Sequence, residues 1–549
     1  NNFPSDVMYK EFPVEFIIGS NVSYNAPPPK EDDLIGQVTN MLMSYSNFTL
    51  PCEHGIVIFP KMDVSTFDFK DVRIAIETGY NTAISLMDSI KKIVHQRISP
   101  EELAIKRAAF KKKIKPFIVS EVHTVNQKGR DESYVRNSIL KNKKNKQIDY
   151  TKFKRRYFRT YQTNQIDYIF PTLTLKPDST FAVHLAVRES KPFRIDIGGI
   201  LSTRAVNTGF AQLTYKRLDK IANSYQVGGY FGKFYNSGRA NIGLAFPSYF
   251  PVTADIYGVL NRWDYFKSFS TFFATEKPSF LVQKEGYIGA GFRFPVLNNS
   301  KIACDYRFFE TEDRYFQTDN FSNKDTADVT RLRGNSINIE FEHNSQNRKQ
   351  YASKGTKGSL KFIFSDAFEH SMPGSVKVSD YDYRKYHQWF NVRGEIQSFF
   401  VSTKLFSFGL HGLASITNLS LLKNYTSTIL NMNSFTPLPD MQTFFFTEYR
   451  SPQYAGAGAN IVFTIRKNIE LRFDGYWYQP LIQVIKNDDG TFGYSKPFKG
   501  ESQVLSASAI YHSPLGPLRL SLNYFPKQNT PLSIQFTYGF LIFNDRAFR

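Results

Sequence analysis

The stretch that decides the fold is Leu532-Ser533-Ile534-Gln535-Phe536-Thr537-Tyr538-Gly539-Phe540-Leu541-Ile542-Phe543. Apolar side chains occupy all of its even positions, from Leu532 to Ile542. The odd positions 533, 535, 537 and 539, on the other face, are small or polar. A period of two residues places these two classes on opposite faces of a β-strand. The stretch therefore predicts a strand with one apolar face and one polar face.

The same alternation recurs along the chain before this stretch, in residues 454–465, 469–477 and 518–524. The polar face of these segments carries charges, among them Arg519 and Asp474. Segments of about nine to twelve residues suit tilted strands that cross a bilayer, with apolar side chains in lipid and polar ones in the lumen. A soluble β-sandwich is the alternative that alternation alone leaves open. The pattern predicts a mainly β protein with a transmembrane antiparallel β-barrel over residues 191–549, of about 16 strands.

Composition narrows the remaining classes. The chain has 549 residues, a net charge of +20, 16% aromatic residues and two cysteines. Two cysteines exclude a disulfide scaffold, and the absence of any apolar run of about 20 residues excludes a helical membrane protein. Abundant Phe and Tyr in a polar chain are typical of nucleic-acid binders and of membrane barrels.

Two smaller regions precede the barrel. Residues 1–98 predict an α/β region, with strands at 14–19 and 55–60 and a long amphipathic helix at 69–94. Residues 99–190 predict a linker helix followed by the order strand, helix, helix, strand, strand. The chain is therefore expected to contain three domains, at 1–98, 99–190 and 191–549.

The barrel region resembles the surface-antigen (BamA/FhaC-type) superfamily of outer-membrane barrels. The motifs that carry the resemblance are Tyr351-Ala352-Ser353-Lys354-Gly355-Thr356, His512-Ser513-Pro514-Leu515-Gly516-Pro517-Leu518-Arg519-Leu520 and the terminal aromatic stretch. The resemblance implies a Gram-negative outer membrane, a POTRA domain at 99–190 and N-terminal domains in the periplasm. It also implies a β-signal for the barrel assembly machinery, formed by Phe536, Tyr538, Phe540 and Phe543.

That superfamily carries a V-R-G-F/Y motif on a loop that folds into the lumen, where the arginine binds an aspartate of the wall. This chain lacks the motif, but Arg450 ends the connection 419–452 and Asp474 faces inward. The resemblance therefore suggests an Arg450–Asp474 pair as a loop lock. The alternative is that both are ordinary charges of a water-filled lumen.

The first region resembles the end of a bacterial patatin-like phospholipase domain. Asn1-Asn2-Phe3-Pro4, the strand at 16–23, the strand at 55–60 and Glu77-Thr78-Gly79-Tyr80 carry this resemblance. It implies a Ser–Asp dyad in G-x-S-x-G and D-G-G/A motifs, and neither motif occurs in this sequence. The chain is thus expected to begin just after the catalytic aspartate and to hold no catalytic residue. Asn1, Asn2, Phe3 and Pro4 then lie beside the active site, unless they form a plain helix-entry turn.

Other site chemistry is sparse. None of the nine histidines shows metal-ligand spacing, so neither a metal nor a cofactor is expected. Basic residues are expected to contact anionic lipid headgroups, although a solvated basic face is the simpler explanation; nucleic acid is not expected as a partner. The basic residues that carry this expectation are Lys111, Lys112, Lys113, Lys154, Arg155 and Arg156.

Together these patterns favour an outer-membrane patatin-like phospholipase, a lipid acyl hydrolase tethered through a POTRA domain to a barrel. The alternative is an assembly or translocation barrel whose hydrolase portion is lost or inactive. Whether the chain belongs to an enzyme is left open. Expected partners are outer-membrane lipids and the barrel assembly machinery, and a homodimer is left open. Phe536→Lys or Leu520→Lys is expected to damage folding, whereas Gln535→Lys and Ser521→Lys are expected to be tolerated.

Overall fold

The computed structural model describes residues 3–12, 14–22, 32–33, 36–37, 40–41, 46–62, 72–95, 98–125, 130–140, 147–161, 166–204, 206–247, 252–265, 281–297, 299–318, 321–322, 324–376, 382–487, 491–528 and 530–548. The chain divides into two compact units, Asn1–Lys115 and Pro116–Arg549, which are considered separately. In the described part of the chain, no helix combines the length and the hydropathy that a membrane span requires.

The first unit is a small α/β region, as the sequence predicts. Its strands β1 and β2 pair in parallel, with Phe16 opposite His54. The helix predicted at 69–94 is present as two helices, α2 and α3. The elements are α1 (Ser5–Glu11), β1 (Phe16–Ser20), β2 (His54–Ile58), α2 (Val72–Ser85), α3 (Met87–Ile93) and α4 (Pro100–Lys112). Helix α4 begins at a capping box between Ser99 and Glu102 and belongs to this unit.

The second unit opens with a small domain that shows the predicted order of strand, helix, helix, strand, strand. Its four-stranded sheet has the order β4-β3-β6-β5, in which β3 and β6 are parallel. Lys176 donates a hydrogen bond of 2.6 Å to the Glu121 carboxylate and thereby lowers the pKa of Glu121. The elements are β3 (Ile118–Thr124), α5 (Arg130–Ile139), β4 (Ile148–Asp149), α6 (Tyr150–Tyr161), β5 (Ile166–Leu175) and β6 (Phe181–Glu189).

The rest of the unit is a closed antiparallel barrel of sixteen strands, which confirms the predicted fold. Its strands have between 8 and 20 residues, so several are longer than the sequence predicts. The wall strands are β7 (Phe193–Ser202), β8 (Thr208–Arg217), β9 (Ala222–Gly232), β10 (Tyr235–Phe246), β11 (Val252–Tyr265), β12 (Leu281–Leu297), β13 (Ser300–Tyr315), β14 (Asp328–Asn344), β15 (Gly355–Met372), β16 (Tyr383–Ser402), β17 (Phe406–Thr417), β20 (Gln453–Arg466), β21 (Ile469–Ile482), β24 (Ser502–Ser513), β25 (Gly516–Tyr524) and β26 (Leu532–Gly539).

Five short elements lie in the connections between wall strands. Two hairpins pair β18 with β19 and β22 with β23. The short elements are α7 (Tyr425–Asn431), β18 (Asn433–Ser434), β19 (Arg450–Ser451), β22 (Val484–Lys486) and β23 (Phe492–Tyr494), together with a 3₁₀ turn at Pro439–Thr443.

The two faces of the wall differ as a membrane barrel requires. Outward side chains such as Leu520 and Ile534 are 53% and 75% exposed, whereas inward neighbours such as Gln535 are buried. Apolar residues outside and polar residues inside suit a wall whose outer face is in lipid. The end of the barrel at Leu218 and Ala222 packs against the core of the small domain, and we call it the inner end. The opposite end is the outer end.

Candidate functional site

In the described part of the chain, two long segments fill much of the barrel lumen. The first is the connection 418–452 between β17 and β20, which we call the luminal loop. The second is residues 540–548 after the last wall strand, which we call the luminal tail. Side chains of both segments are buried against inward residues of the wall, including Phe435 at 0% and Phe548 at 2% exposure. The water-filled lumen that the sequence suggests is therefore packed with protein over much of its depth.

The luminal loop is ordered by its own hydrogen bonds. Its helix α7 begins at a capping box in which Asn424 and Ser427 exchange side-chain-to-backbone hydrogen bonds. Phe435 then packs against Tyr454 and Tyr478 of the wall, at ring-centroid distances of 5.8 and 5.1 Å. Such packing fixes a segment that would otherwise be a mobile outer loop.

One buried ion pair joins the luminal loop to the wall. Arg519 of β25 donates to the carboxylate of Asp440, which lies in the 3₁₀ turn of the loop. Both residues are only 1% exposed. Arg519 also donates to the Ser506 hydroxyl at 3.0 Å, and its guanidinium lies 5.2 Å from the centre of the Tyr351 ring. A charge pair removed from water in this way holds the loop strongly, because losing either partner leaves an uncompensated buried charge.

The suggested Arg450–Asp474 lock is not formed, and the structure corrects this assignment. Arg450 instead donates to the backbone carbonyls of Leu430 and Met432, both at 3.3 Å, inside the loop itself. Asp474 accepts hydrogen bonds from Arg472 of its own strand at 2.9 and 3.0 Å. The reason is geometric, since Arg450 turns back over α7 rather than towards β21.

The lock that does form has the opposite polarity, with the cation on the wall and the anion on the loop. A sequence clue to it existed. Asp440 is the acidic residue of Pro437-Leu438-Pro439-Asp440 in the middle of the loop, and Arg519 is an inward charge of a strand already predicted. The pairing itself was not readable, because the two residues are 79 positions apart.

The luminal tail is held by contacts along its whole length. Arg546 lies 3.7 Å from the centre of the Trp263 ring and donates to the Gln283 side chain at 2.8 Å. Arg307 donates to the Arg546 carbonyl at 2.8 Å, and the Phe548 ring packs against Trp389 at 5.5 Å. Six strands, β10 to β14 and β16, thus contribute to a socket for these nine residues.

The tail also changes where the residues of the predicted β-signal lie, while their recognition by the assembly machinery stays a prediction. The final strand ends at Gly539, whose φ of +112° lies in the left-handed region that favours glycine. Phe536 and Tyr538 belong to the wall as predicted, but Phe540 and Phe543 lie beyond it. Phe543 enters the lumen and packs edge-on against Tyr235 at 4.8 Å. Alternation continued past Gly539 in the sequence, and the turn at this glycine overrides it.

Because the last strand ends at Gly539, the barrel closes at a narrow seam between β26 and β7. Only three aligned residue pairs join β26 to β7, from Gly539–Ile200 to Thr537–Ser202, against seven between β25 and β26. Within the described residues, the β7 segment 193–199 has no strand partner on this side. Its outward side chains are well exposed, and Ile197 reaches 82%. An unpaired strand edge of this kind can accept another strand.

The N-terminal site residues are only partly described. Asn1 and Asn2 lie outside the described residues. Phe3 is buried and packs edge-on against Phe48 at 5.6 Å, whereas Pro4 is exposed at the N-cap of α1. Their proximity to an active site stays a prediction.

The basic residues expected at a membrane surface fall in both units. Lys111 and Lys112 end α4, and Lys113 follows it; all three are exposed. Lys154 and Arg155 are exposed on α6, whereas Arg156 caps α5 by donating to the Ile139 carbonyl at 2.8 Å. Arg156 therefore has a structural role, and lipid contact by the other five stays a prediction.

Comparison with known proteins supports the barrel architecture. No family model matches the chain, and no curated protein sequence is recognisably similar. Among solved structures, BamA from Haemophilus ducreyi lacking POTRA domains 1–3 matches with a TM-score of 0.54 and 11% identity, over 77% of this chain and 84% of that one.

The fold is that of a bacterial outer-membrane β-barrel. Two further matches are weaker: CdiB from Acinetobacter baumannii, with a TM-score of 0.43, 9% identity and coverage of 84% and 87%, and CdiB from Escherichia coli, with 0.45, 10%, 78% and 77%. The closed sixteen-stranded wall and the likeness to BamA both support the fold of an outer-membrane barrel.

Proposed function

We propose that this protein is an outer-membrane barrel that assembles or translocates other polypeptides. The observation that carries the proposal is the seam, where three residue pairs close a wall whose next junction has seven. Beside it lies the unpaired edge of β7, which suits pairing with an incoming strand by β-augmentation. A lumen filled by a locked loop argues against a permanently open pore.

The small domain at the inner end supports the same function. It packs on the barrel through Leu218 and Ala222, next to the entry into β7. Its order of elements is that of a POTRA domain, and on this proposal it lies in the periplasm and receives client chains. The β5 edge of its sheet pairs only with β6 among the described residues and is a second site for strand addition.

The luminal tail offers a way to open and close this seam. Extending the β26–β7 register beyond the Gly539–Ile200 pair places residues 540–546 opposite residues 199–193. The tail therefore has two alternative places, the lumen socket and the free edge of β7. We propose that a client strand paired with the β7 edge prevents the tail from pairing there and thereby keeps the tail in the lumen.

A disulfide across the seam tests the proposal. The residues Ser202 and Thr537 face the lumen as a direct pair, and cysteines at paired antiparallel positions lie within bonding distance. With Cys52 and Cys304 replaced by serine, Ser202→Cys/Thr537→Cys is expected to abolish complementation of a deletion strain, and reductant is expected to restore it. Client insertion into the outer membrane is followed by quantitative proteomics of membrane fractions.

The matched control is Ser521→Cys/Gln535→Cys, which joins two strands that are already fully paired. It is expected to complement with or without reductant, because that junction need not open. Full activity of the oxidised seam variant would overturn the proposal that the seam opens.

Removing the tail gives a further prediction. Deletion of residues 544–549 removes the contacts to Trp263 and Arg307 and leaves their socket open. The variant is expected to show a larger and noisier ion conductance in planar bilayers than the parent protein. Arg293→Ala, which loses a half-exposed luminal arginine but no plug, is the control and is expected to conduct like the parent. Unchanged conductance of the deletion would show that the tail does not obstruct the lumen.

A patatin-like lipid acyl hydrolase is the second candidate function. It rests on the sequence resemblance and on the parallel pairing of β1 with β2, which suits an α/β hydrolase domain. Esterase assays on the protein isolated from its natural source, with and without a serine-directed fluorophosphonate, test it. Activity that resists the fluorophosphonate, or no activity, would count against a catalytic serine.

A further inference from the structure

The outer face of the wall carries an apolar groove near the outer end. Gly238 of β10, Leu260 of β11 and Gly286 of β12 are neighbours in register, and all three face outward. They line an open groove of about 750 Å³, which Phe231 flanks with a side chain 65% exposed. A Cβ atom added at Gly238 would meet nothing within 4 Å, whereas one added at Gly286 would meet the Leu260 side chain at 3.0 Å, so the open part of the floor lies at Gly238.

A row of cations lies two residues further towards the outer end. Arg262 follows Leu260 on the same face, and it pairs in register with Lys284 of β12. The next strand supplies Glu312, the register partner of Lys284. Arg262 and Lys284 line the same groove as the glycines. Glu310 of β13, the register partner of Gly286, also lines the groove. The floor is therefore apolar at Gly238 and Leu260, and charged side chains border it at the rim and on the β13 side.

The rim carries more positive than negative charge. Glu312 is approached by Lys284 at 3.6 Å, and by Arg314 and Arg331 at 2.7 Å each. One carboxylate thus faces three cations, and the other carboxylate of the groove lining, Glu310, lies opposite Arg333 in register. Arg262 is half exposed and bonded to Asp264. Cations concentrated at the edge of an apolar surface attract the phosphate groups of lipids.

The position of the rim on the wall indicates which kind of phosphate group it binds. On the inner side of the groove the outward residues Ile256, Ile288 and Phe308 are 57%, 67% and 44% exposed, as expected for contact with acyl chains. On the other side the strands end in the outer connections. The rim therefore lies at the boundary between apolar wall and outer loops, at the depth of the lipid headgroups.

We propose that the outer face of β10–β13 binds a phosphorylated lipid of the membrane's outer leaflet. Its phosphate contacts Arg262 and Lys284, and one acyl chain occupies the groove beside Gly238 and Leu260. Charge complementarity at the rim and the apolar floor below it both favour this occupant. The proposal does not depend on the assembly or translocation activity, since it needs only the barrel in its bilayer.

The test uses the full chain in phosphatidylcholine nanodiscs with diphosphoryl lipid A as the probe, and bound lipid is counted by native mass spectrometry. Arg262→Gln/Lys284→Gln is expected to weaken retention about tenfold or more, through loss of the phosphate contacts. Gly238→Leu fills the groove without changing charge and is expected to weaken retention to a similar degree. Arg384→Gln removes an outward cation of β16 that is well separated from the groove and is expected to bind like the parent.

The alternatives are resolved by further arms of the same experiment. Lipid A freed of its phosphates is expected not to be retained, and equal retention would overturn the role of the rim. Inorganic phosphate at millimolar concentration is expected not to displace the lipid, and displacement would overturn the role of the groove. Retention by Gly238→Leu equal to that of the parent would also overturn the proposal, provided that its heat-modifiable gel migration shows a folded barrel.

Discussion

Replacing Arg519 with methionine is expected to destabilise the barrel by about 3–5 kcal/mol and to release the luminal loop. The arginine is 1% exposed and supplies the countercharge of Asp440, which is equally buried. Without it, the loop must either keep an unpaired carboxylate in the packed lumen or leave the lumen. Urea unfolding in lipid vesicles, followed by tryptophan fluorescence, measures the loss of stability. Protease cleavage within residues 418–452 measures the release of the loop.

Two comparisons make this prediction specific to the lock. Arg194→Met removes another inward arginine, which is 65% exposed and bonds Asp196 at 2.7 Å, and Asp196 is itself 30% exposed, so a cost below about 1 kcal/mol is expected. Arg519→Met/Asp440→Leu removes both charges and is expected to recover most of the lost stability. If Arg519→Met unfolded like the parent protein, or if the double variant were no better than the single one, the lock would not hold the loop.

A lysine in place of Leu360 is expected to cost about 2–4 kcal/mol, because it places a charge in the middle of the lipid-facing wall. Leu360 lies in β15 with 54% of its side chain exposed, between the outward residues Phe341 and Gly394 in register. The expected result is a large fall in the fraction of barrel that refolds into vesicles, measured by heat-modifiable gel migration.

The neighbouring residue provides the control. Ser359 faces the lumen between Glu342 and Glu395 in register and lines a charged cavity of about 420 Å³. In Ser359→Lys the new cation has two carboxylate neighbours across the strands and two lysines, Lys357 and Lys361, along its own strand. Because it lies in water-accessible space, the variant is expected to fold like the parent protein. Equal folding of both variants would contradict the assignment of Leu360 to the lipid face.

The structure also changes which substitutions should be harmless. Gln535→Lys and Ser521→Lys were expected to be tolerated in a water-filled lumen. Both residues are at most 2% exposed, and Gln535 donates to Ser202 across the seam. A lysine at either place has no room, so tolerance is expected only at inward positions that line a cavity, such as Ser359.

The sequence by itself determined the barrel. Alternation with a period of two is a local property, and it assigns each side chain of β25 and β26 to lipid or lumen without any knowledge of the neighbouring strand. The number of strands followed from the length of the region, and the order of elements in the small domain followed from local patterns and turns. These features depend on residues that are close together in the sequence.

Only the tertiary structure decided what fills the lumen. The Asp440–Arg519 pair and the socket of the tail join residues that are far apart in the chain, and closure of the wall brings them together. Local alternation predicts that Phe540 and Phe543 continue the last strand, but the packing of Phe543 on Tyr235 and the burial of Phe548 in the lumen outweigh it. A pattern of apolar residues indicates that their side chains are removed from water. It does not indicate whether they contact lipid or a packed protein interior.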